Sequence, residues 1–329
     1  MGARGAGMAI KGFPKRLRMG VGADRRGPRL FAASDLGTLA GMIVLLPLAW
    51  LLPRRLWPGV CAVAAPIIAR FEDSGGEDLA KRIARYLEDR RTGMPRARIA
   101  ARARAGFMEE FLGILRALRP WASAPRCTLH GGEHLSAALQ AGQGAVLWVD
   151  EFHFYSLASK VALAQAGFRT VHLSHPTHGF SKTRFGMALL NPVKIRAENR
   201  WLKDRVMLGF GGATGALRAL QRHLRAGEVV SITAGADAQA PIELPFLGGA
   251  IRLAPGAPEL AHMAKAPLLP VHTIYREDGR FEVTIEPPIE APRDQGRPAF
   301  AEAAARDYAA RLEPAVLSYP HQWRGWFRM

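Results

Sequence analysis

At 329 residues with 49% hydrophobic content, the chain can bury the core of one large domain, or of one domain with an appendage, which excludes a disordered protein. Its 45 Lys and Arg residues against 28 Asp and Glu give a formal charge of +17, which favours an anionic partner, either nucleic acid or an anionic membrane surface. The two cysteines, Cys61 and Cys127, belong to no CxxC and to no Cys/His spacing of a zinc site, so neither a disulfide framework nor a structural metal is expected.

The N-terminal region predicts a basic tail followed by a membrane anchor. Residues 1–30 hold eight Lys or Arg against one acid and lack apolar periodicity, so we expect a flexible tail. Residues 36–52 then run seventeen positions without a charge and are followed by two arginines. Because a full span requires about 20 apolar residues, three interpretations remain open: a short or tilted transmembrane helix, a helix lying in the interface, and a buried core helix. The basic flanks favour membrane contact, and attachment on the cytoplasmic side accommodates both flanks best.

Residues 78–119 predict two basic helices, interrupted at Pro95. Apolar side chains recur there at three- and four-residue steps, while arginines take the other positions. A solvated charged face is the ordinary interpretation of this pattern. Beside an apolar anchor, arginine-rich helices also suit phosphate head groups or an acidic carrier protein.

The rest of the chain alternates strand and helix patterns, which predicts an α/β fold with a mostly parallel sheet flanked by helices. The strand candidates are residues 145–149, 170–174, 229–234, 268–274 and 282–286, and the helix candidates are residues 156–166, 214–224, 257–264 and 299–317. The predicted organisation is a basic tail (1–30), an apolar anchor (31–58), a basic helical region (59–125) and an α/β domain (126–329).

Ionisable residues cluster where the first strand candidate is followed by a helix. Asp150, Glu151 and His153 come directly after the apolar run 145–149, and a helical pattern starts near Ser156. In an open α/β sheet the carboxyl ends of the strands meet a crevice, and the following helix offers N–H groups to an anion or oxyanion. A solvated polar turn is the alternative, but the rest of the chain favours a functional site here.

Several familiar motifs do not occur in the sequence. There is no Walker-type GxxxxGK[ST], no GxSxG nucleophile elbow and no GxGxxG after a strand. Phosphate-loop and serine-hydrolase chemistry are therefore not expected.

Five segments, taken in order, resemble the bacterial lipid A late acyltransferases, the lauroyl/myristoyl transferase family, which is lysophospholipid-acyltransferase-like. They are GGEHLSAALQAGQGAVLWV at 131–149, SHPT at 174–177, GADAQAPIELPFLGG at 235–249, the glycine, alanine-rich helix and proline-containing strand of 256–271, and YPHQWRGWFR at 319–328. The likeness covers roughly residues 125–328 and rests on the order of the segments.

The resemblance implies a membrane enzyme with a glycerolipid-acyltransferase-like fold. Such an enzyme moves a fatty acyl chain from acyl carrier protein or coenzyme A to a hydroxyl of a lipid A-type glycolipid or lysolipid, at the cytoplasmic face of the bacterial inner membrane. The family implies a histidine general base, oriented by an acidic residue that follows after four positions. It also implies partners that are membrane lipid and an acyl thioester, with no metal or organic cofactor.

This chain departs from the family at that dyad. With His153 in the histidine position, the acidic position holds Ala158; in the ungapped register, Glu151 takes the histidine position and Ser156 the acidic one. Either His153 is the base and Asp150 or Glu151 orients it, or Glu151 is itself the base with a raised pKa. A third possibility is a degenerate protein that binds lipid or carrier protein without turnover.

The remaining site candidates are substrate-binding ones. Asp237 stands in the family's Asp position after a strand, where capping of the next turn is the alternative role. His175 and Arg184 follow another strand candidate and suit a phosphate group. Ser156 completes the set because the ungapped register gives it the acidic position.

Two other histidines are followed by a glutamate at the family spacing, in the pairs His223/Glu228 and His272/Glu277, and we interpret both as coincidences. The aromatic C-terminal segment suits either an interfacial belt or a cap packed on the core. Nucleic-acid binding is not expected, because the aromatic residues cluster at the C-terminus instead of lying among basic residues on a sheet.

Overall fold

The computed structural model of the chain describes residues 28–69, 79–119, 121–209, 213–235, 238 and 240–329. Its α-helices are α1 (Ala33–Leu51), α2 (Trp57–Ala69), α3 (Leu79–Tyr86), α4 (Asp89–Thr92), α5 (Arg96–Ala117), α6 (Gly132–Gln140), α7 (Tyr155–Gln165), α8 (Asn191–Asn199), α9 (Thr214–Arg225), α10 (Gly256–Ala264) and α11 (Arg297–Ser318). A π-helical turn, Gly186–Leu190, precedes α8, and short 3₁₀ turns occupy Arg54–Leu56 and Gly325–Arg328.

The strands are β1 (Cys127–His130), β2 (Ala145–Val149), β3 (Val171–Ser174), β4 (Asp204–Met207), β5 (Val229–Thr233), β6 (Ile242–Phe246), β7 (Gly249–Leu253), β8 (Leu268–Tyr275) and β9 (Phe281–Ile285). Seven of them form one sheet in the order β1-β9-β8-β2-β5-β3-β4, and β6 and β7 form a separate antiparallel hairpin. Every pair in the large sheet is parallel except β8 with β9. The predicted α/β fold with a mostly parallel sheet is therefore confirmed.

Strand β2 lies inside the sheet and is apolar on both faces because helices cover both faces. Leu147 and Val149 pack with α6 and α7, whereas Val146 and Trp148 belong to the core on the opposite face. The Trp148 ring lies against Tyr308 of α11, with the two ring centroids 4.2 Å apart. The chain therefore leaves the carboxyl end of β2 between two packed layers.

Helix α1 is the predicted apolar segment, and it carries large exposed apolar side chains, among them Ile43, Val44 and Leu51. In the part of the chain that the structure describes, it is the one helix whose length and composition would let it cross a membrane. Only 17% of the apolar stretch of α1 is buried, so the interpretation of this segment as a buried core helix is wrong. The following helix α2, which the sequence analysis did not predict, exposes Val63.

The two N-terminal helices pack on α5, the longer of the predicted basic helices. The Trp50 indole donates to the carbonyl of Leu115 at 3.0 Å, and the Arg116 guanidinium donates to the carbonyl of Ala49 at 3.0 Å. Pro95, the predicted interruption, precedes the first residue of α5, where its missing N–H leaves no helical hydrogen bond unmade. Helix α5 thus joins the apolar N-terminal helices to the α/β body.

The C-terminal segment packs into the core. Trp323 and Trp326 are buried, and the Trp326 indole donates to the carbonyl of Pro320 at 2.9 Å. Gln322 exchanges two hydrogen bonds of 2.8 Å with the backbone of Tyr275 on β8. The interfacial-belt interpretation is therefore wrong for both tryptophans, and the alternative of a cap on the core is correct.

Candidate active site

The candidate site lies where β2 is followed by α7, at the carboxyl edge of the sheet. The N–H of Asp150 still donates to the Val271 carbonyl of β8 at 2.9 Å, so the strand pairing extends to this residue. Residues 151–154 then form a loop, and Phe154 ends it with a left-handed backbone, φ +63°. Such a conformation is uncommon outside glycine and turns the chain sharply into α7.

Asp150 is fully buried and points to the face of the sheet that α11 covers. Its Oδ1 accepts the N–H of Glu151 at 2.6 Å, and its Oδ2 lies 3.7 Å from Nδ1 of His272 on β8. The Phe152 ring packs edge-on against the His272 ring, with centroids 6.4 Å apart. His272, which the sequence analysis set aside with Glu277, therefore has Asp150 as its acidic neighbour.

Glu151 is the partly exposed carboxylate of the loop. The hydroxyl of Tyr155 donates to its Oε1 at 3.4 Å, and its backbone carbonyl accepts the N–H of Arg324 at 2.8 Å. Burial, followed by the negative charge of Glu151, raises the pKa of Tyr155 well above its ordinary value. Tyr155 therefore stays protonated and remains a donor toward Glu151 at neutral pH.

His153 lies on the opposite side of the loop and is only 5% exposed. Its ring rests on α5, where a Cβ added to Gly106 would lie 3.1 Å from Nδ1, and it meets the rings of Phe154 and Tyr275 at centroid distances of 5.2 and 5.6 Å. Burial lowers the pKa of His153 to about 3, although the charge of Glu110 opposes that shift. The imidazole is therefore neutral at physiological pH.

Glu110 of α5 is a residue of this site that sequence reasoning missed. It is buried, it forms an ion pair with Arg324, and its Oε2 accepts the N–H of Phe154 at 3.3 Å. Burial alone raises a carboxyl pKa, yet Arg324 and other nearby cations hold the pKa of Glu110 below its ordinary value. The sequence signal that could have found Glu110 is its place on the apolar face of α5, four positions after Gly106 and three before Gly113.

Ser156 and Ala158 lie on α7 and are buried. The Ser156 hydroxyl has no hydrogen-bond partner among the residues that the structure describes, while the Ser156 carbonyl accepts the Lys160 ammonium at 2.6 Å. Neither position of the expected dyad therefore carries an acid.

A buried ionic cluster lies behind α7. Glu198 of α8 accepts from His178 at 2.9 Å and from Arg205 at 2.7 Å, and its Oε2 is 3.5 Å from the Lys160 ammonium. Burial lowers the pKa of Lys160 to about 8, against the attraction of Glu198. Two helices, one strand and one loop contribute these side chains, so sequence spacing gave no sign of the cluster.

The other predicted site residues are spread more widely. The ring of His175 is bonded to the Thr177 hydroxyl at 2.7 Å, and Arg184 is exposed, its N–H donating to the carbonyl of Arg29 at 2.9 Å. Asp237 lies outside the described residues. His223 is hydrogen-bonded to Glu228 at 2.8 Å, at the amino end of β5 and so at the sheet edge away from the candidate site.

Among the residues that the structure describes, there is no group of three or more His, Cys, Asp or Glu side chains that could hold a metal ion. A small enclosed cavity of about 10 Å³ lies beside His153, His321 and Arg324, which is room for about one water molecule. The arrangement at the edge of β2 is thus a partly exposed carboxylate with a phenol donor, backed by a buried histidine and a buried ion pair.

Residues 26–328 match the sequence profile of a family described as bacterial lipid A biosynthesis acyltransferase. The chain belongs to this acyltransferase family. The match covers nearly the whole chain, including the C-terminal segment, and confirms the resemblance that the five ordered segments indicated. The family is one of lipid acyltransferases, so an acyl donor and a lipid acceptor are its general substrates.

Comparison with solved structures gives a match to the crystal structure of the 1-acyl-sn-glycerophosphate (LPA) acyltransferase PlsC from Thermotoga maritima. The two chains share 12% sequence identity with a TM-score of 0.39, over 80% of this acyltransferase-family chain and 98% of the PlsC chain. A comparison with curated protein sequences gives no match.

Proposed function

We propose that the protein transfers a fatty acyl chain from an acyl thioester to a hydroxyl of a membrane lipid, with Glu151 as general base. The observation that supports this assignment is the exposure of Glu151 at the carboxyl edge of β2, with the Tyr155 hydroxyl 3.4 Å from its Oε1. In the ungapped register Glu151 occupies the family's histidine position. A carboxylate at that position can take the proton that the family histidine takes.

The proposed reaction is a direct acyl transfer. Glu151 removes the proton of the acceptor hydroxyl, and the oxygen attacks the thioester carbonyl carbon to give a tetrahedral intermediate. The C–O bond forms, the C–S bond breaks, and the proton on Glu151 passes to the departing thiolate. Tyr155, held protonated, donates to the carboxylate and fixes the side chain in one orientation.

His153 is the other base that the sequence analysis left open. Its ring is enclosed by α5, Phe154 and Tyr275, and burial keeps its pKa at about 3. A weakly basic imidazole that is only 5% exposed is poorly suited to proton abstraction from a substrate. We therefore assign His153 to packing of the loop on α5, in its neutral form.

The substrate-binding roles remain proposals of the same kind. The exposed Arg184, and separately His175, suit a phosphate group of the acceptor or donor. Asp237 keeps the proposed role of contacting the acceptor. Ser156, being buried, is proposed to act on the acceptor's position only through α7.

An acidic acyl carrier protein is the proposed donor, with coenzyme A as the alternative. Exposed cationic side chains on α3 and α5, among them Arg85, Arg98 and Arg102, present a positive surface on the helices that lead to the site. Opposite charge on a carrier protein steers its approach to such a surface. A lipid A-type glycolipid is the proposed acceptor and a lysolipid the alternative.

The proposed location is the cytoplasmic face of the bacterial inner membrane, with α1 and α2 lying in the interface. The carboxylate of Asp35, in the first turn of α1, accepts from the hydroxyls of Ser181 and Thr183 at 2.5 and 2.7 Å, and the last turn of α1 is bonded to α5. A helix held to the body at both ends suits attachment along the membrane surface better than a span.

Acyl transfer from labelled thioesters into lipid tests this proposal. The purified protein, in lipid, is given acyl-carrier and coenzyme A thioesters with lipid A-type and lysolipid acceptors, beside Glu151→Gln and His153→Gln variants. The proposal expects turnover by the wild type, a loss of at least a hundredfold in Glu151→Gln, and a much smaller loss in His153→Gln. Absence of turnover over the whole panel, with lipid still bound, would establish the non-catalytic binder instead.

A further inference from the structure

We infer that Glu110 and Arg324 are positioning residues for the proposed base: their ion pair fixes the loop 151–154 from outside, at both of its ends. The inference rests on the proposed role of Glu151 and assigns a function to two residues that lie 214 positions apart in the sequence. Neither residue touches the reacting atoms, and both act through the backbone of the loop.

Helix α5 turns a face with two glycines and one glutamate toward the loop. Gly106, Glu110 and Gly113 stand at helical spacing and so lie on one side of α5. A Cβ at Gly106 would press on the His153 ring, and a Cβ at Gly113 would overlap the Phe154 ring. The two glycines therefore make room for the loop's aromatic rings, and Glu110 lies between them.

The backbone of the loop is hydrogen-bonded at its first and last residues. The carbonyl of Glu151 accepts the N–H of Arg324 at 2.8 Å, and the N–H of Phe154 donates to the Glu110 carboxylate at 3.3 Å. The Arg324 guanidinium then joins the Glu110 carboxylate in an ion pair. One ion pair thus connects the partners of the first and last residues of the loop.

Arg324 is itself held in place by its surroundings. Its guanidinium lies over the Phe107 ring of α5, 4.2 Å from the centroid, where cation–π attraction adds to the ion pair. Its neighbours Trp323 and Trp326 are buried, and Gln322 is bonded to β8. The C-terminal segment is therefore a fixed support from which Arg324 reaches the loop.

The loop needs such support because of its backbone. Phe154 has φ +63°, a conformation that side chains other than glycine adopt at a cost and keep only where surrounding structure imposes it. Two contacts impose it here. The Glu110 carboxylate accepts the N–H of Phe154, and the Phe154 ring fills the space that Gly113 leaves on α5, which we call the notch. Without them the loop would relax, and a carboxylate displaced by about 1 Å loses on the order of a hundredfold in rate.

The buried position of Glu110 makes the pair functional only as a unit. Glu110 is 4% exposed and stays ionised because Arg324 is beside it. A buried carboxylate without its cation is strongly unfavourable, so removal of either partner disturbs the other.

The test compares Glu110→Gln, Arg324→Met and Arg324→Lys with the wild type in lipid. The control is Arg311→Met, which removes a partly exposed ion pair to Asp307 on α11. All rates are measured well below each variant's unfolding temperature. The inference expects kcat to fall at least tenfold in Glu110→Gln and Arg324→Met with KM changed less than threefold, partial recovery in Arg324→Lys, and an unchanged control.

The pH dependence of kcat separates positioning from mere stability. The charged and titratable groups around the loop are Glu110 on α5, Tyr155 and Lys160 on α7, Lys194 and Glu198 on α8, His272 and Tyr275 on β8, His321 and Arg324 at the C-terminus, and Asp150 and His153 beside Glu151 itself. Glu110→Gln leaves the Arg324 guanidinium without its partner, and we expect the acid limb of kcat to shift to lower pH. In Arg324→Met the buried Glu110 loses the cation that keeps it ionised and takes up a proton, so the acid limb is expected to shift little. An acid limb that does not move in Glu110→Gln would overturn the inference.

Amide hydrogen exchange of the peptide that covers residues 150–156 gives a readout that does not depend on turnover. The inference expects faster exchange there in Glu110→Gln and Arg324→Met, and not in Arg311→Met. Faster exchange with an inactive wild type would defeat the proposed function and leave the support of the loop established. Unchanged exchange and unchanged kcat, with an active wild type, would defeat this inference alone.

Discussion

The Nδ1 of His272 lies 3.7 Å from the Oδ2 of Asp150, so a buried histidine on β8 faces a buried carboxylate at the end of β2. The two strands are neighbours in the sheet, and Asp150 also accepts the N–H of Glu151 at 2.6 Å. The first residue after β2 therefore has a titratable neighbour on the adjacent strand, at ion-pair distance and directly behind the proposed base.

This contact predicts an energetic coupling between Asp150 and His272. We expect Asp150→Asn and His272→Phe each to lower the free energy of unfolding by about 1–3 kcal/mol, because each leaves a buried polar group with a poorer partner. The double variant is expected to lose less than the sum, with a coupling of about 0.5–3 kcal/mol. Denaturant unfolding measures the cycle, and a matched cycle of Asp150→Asn with His223→Phe, at the other end of the sheet, is expected to be additive.

The burial of His153 predicts a pH dependence of stability. Its folded pKa, about 3, lies below the ordinary value of 6.5, so between those limits the unfolded state binds more protons than the folded state. The contribution of the neutral ring to the free energy of unfolding is therefore fully present above about pH 6.5. It is lost as pH falls toward 3, by about 1 kcal/mol per pH unit. The free energy of unfolding of His153→Gln, measured at the same pH values, is expected to decrease less steeply than that of the wild type as pH falls. Equal slopes would contradict the burial of the ring.

The notch on α5 predicts opposite outcomes for two glycine substitutions. Gly113→Ala is expected to cost roughly 1–3 kcal/mol of unfolding free energy, because its Cβ would overlap the Phe154 ring. Gly215→Ala is the control, since a Cβ there meets nothing within 4 Å and helical alanine is favoured by up to about 1 kcal/mol over glycine. Thermal unfolding distinguishes them, and equal effects would show that α5 does not seat the loop as described.

The exposed apolar surface of α1 predicts membrane attachment. Ile43 and Val44 are 66% and 71% exposed, and burying each in lipid is worth about 1.5–3 kcal/mol. We expect Ile43→Asp with Val44→Asp to weaken binding to anionic liposomes more than tenfold in flotation, with no loss of thermal stability. The control, Gln140→Asp with Gln143→Asp, carries the same charge change at the amino edge of the sheet and is expected to bind like the wild type apart from a small electrostatic loss.

The strands that the sequence predicted carry either an apolar run, as in residues 145–149, or apolar and polar residues in alternation, as in residues 282–286. Strand β2 is buried on both faces, and its Ala-Val-Leu-Trp-Val composition is the continuous apolar run that is typical of such a strand. Strand β4, Asp204–Met207, went unpredicted because it lies at the edge of the sheet and its residues are partly or fully exposed. The hairpin of β6 and β7 was missed for another reason, because Pro245, Gly248 and Gly249 interrupt the strand pattern of its sequence.

The position of the candidate site was predictable and its composition was not. A strand that is followed directly by Asp150 and Glu151 indicates a site at the carboxyl edge of the sheet by local pattern alone. Glu110, His272 and Arg324 reach the same place from distant parts of the chain, and a single sequence contains no signal that joins them. An acidic residue on the apolar face of α5 was the one local sign that a buried charge needed a partner.

The central claim is that Glu151 is the general base, and acyl transfer by Glu151→Gln tests it most directly. The amide keeps the size of the side chain and its hydrogen bond from Tyr155 but cannot take up the acceptor's proton. With wild type and His153→Gln measured beside it at equal lipid binding, the account predicts at least a hundredfold loss of kcat in Glu151→Gln alone. A Glu151→Gln variant that keeps wild-type turnover, while His153→Gln loses it, would contradict the account and place the base at His153.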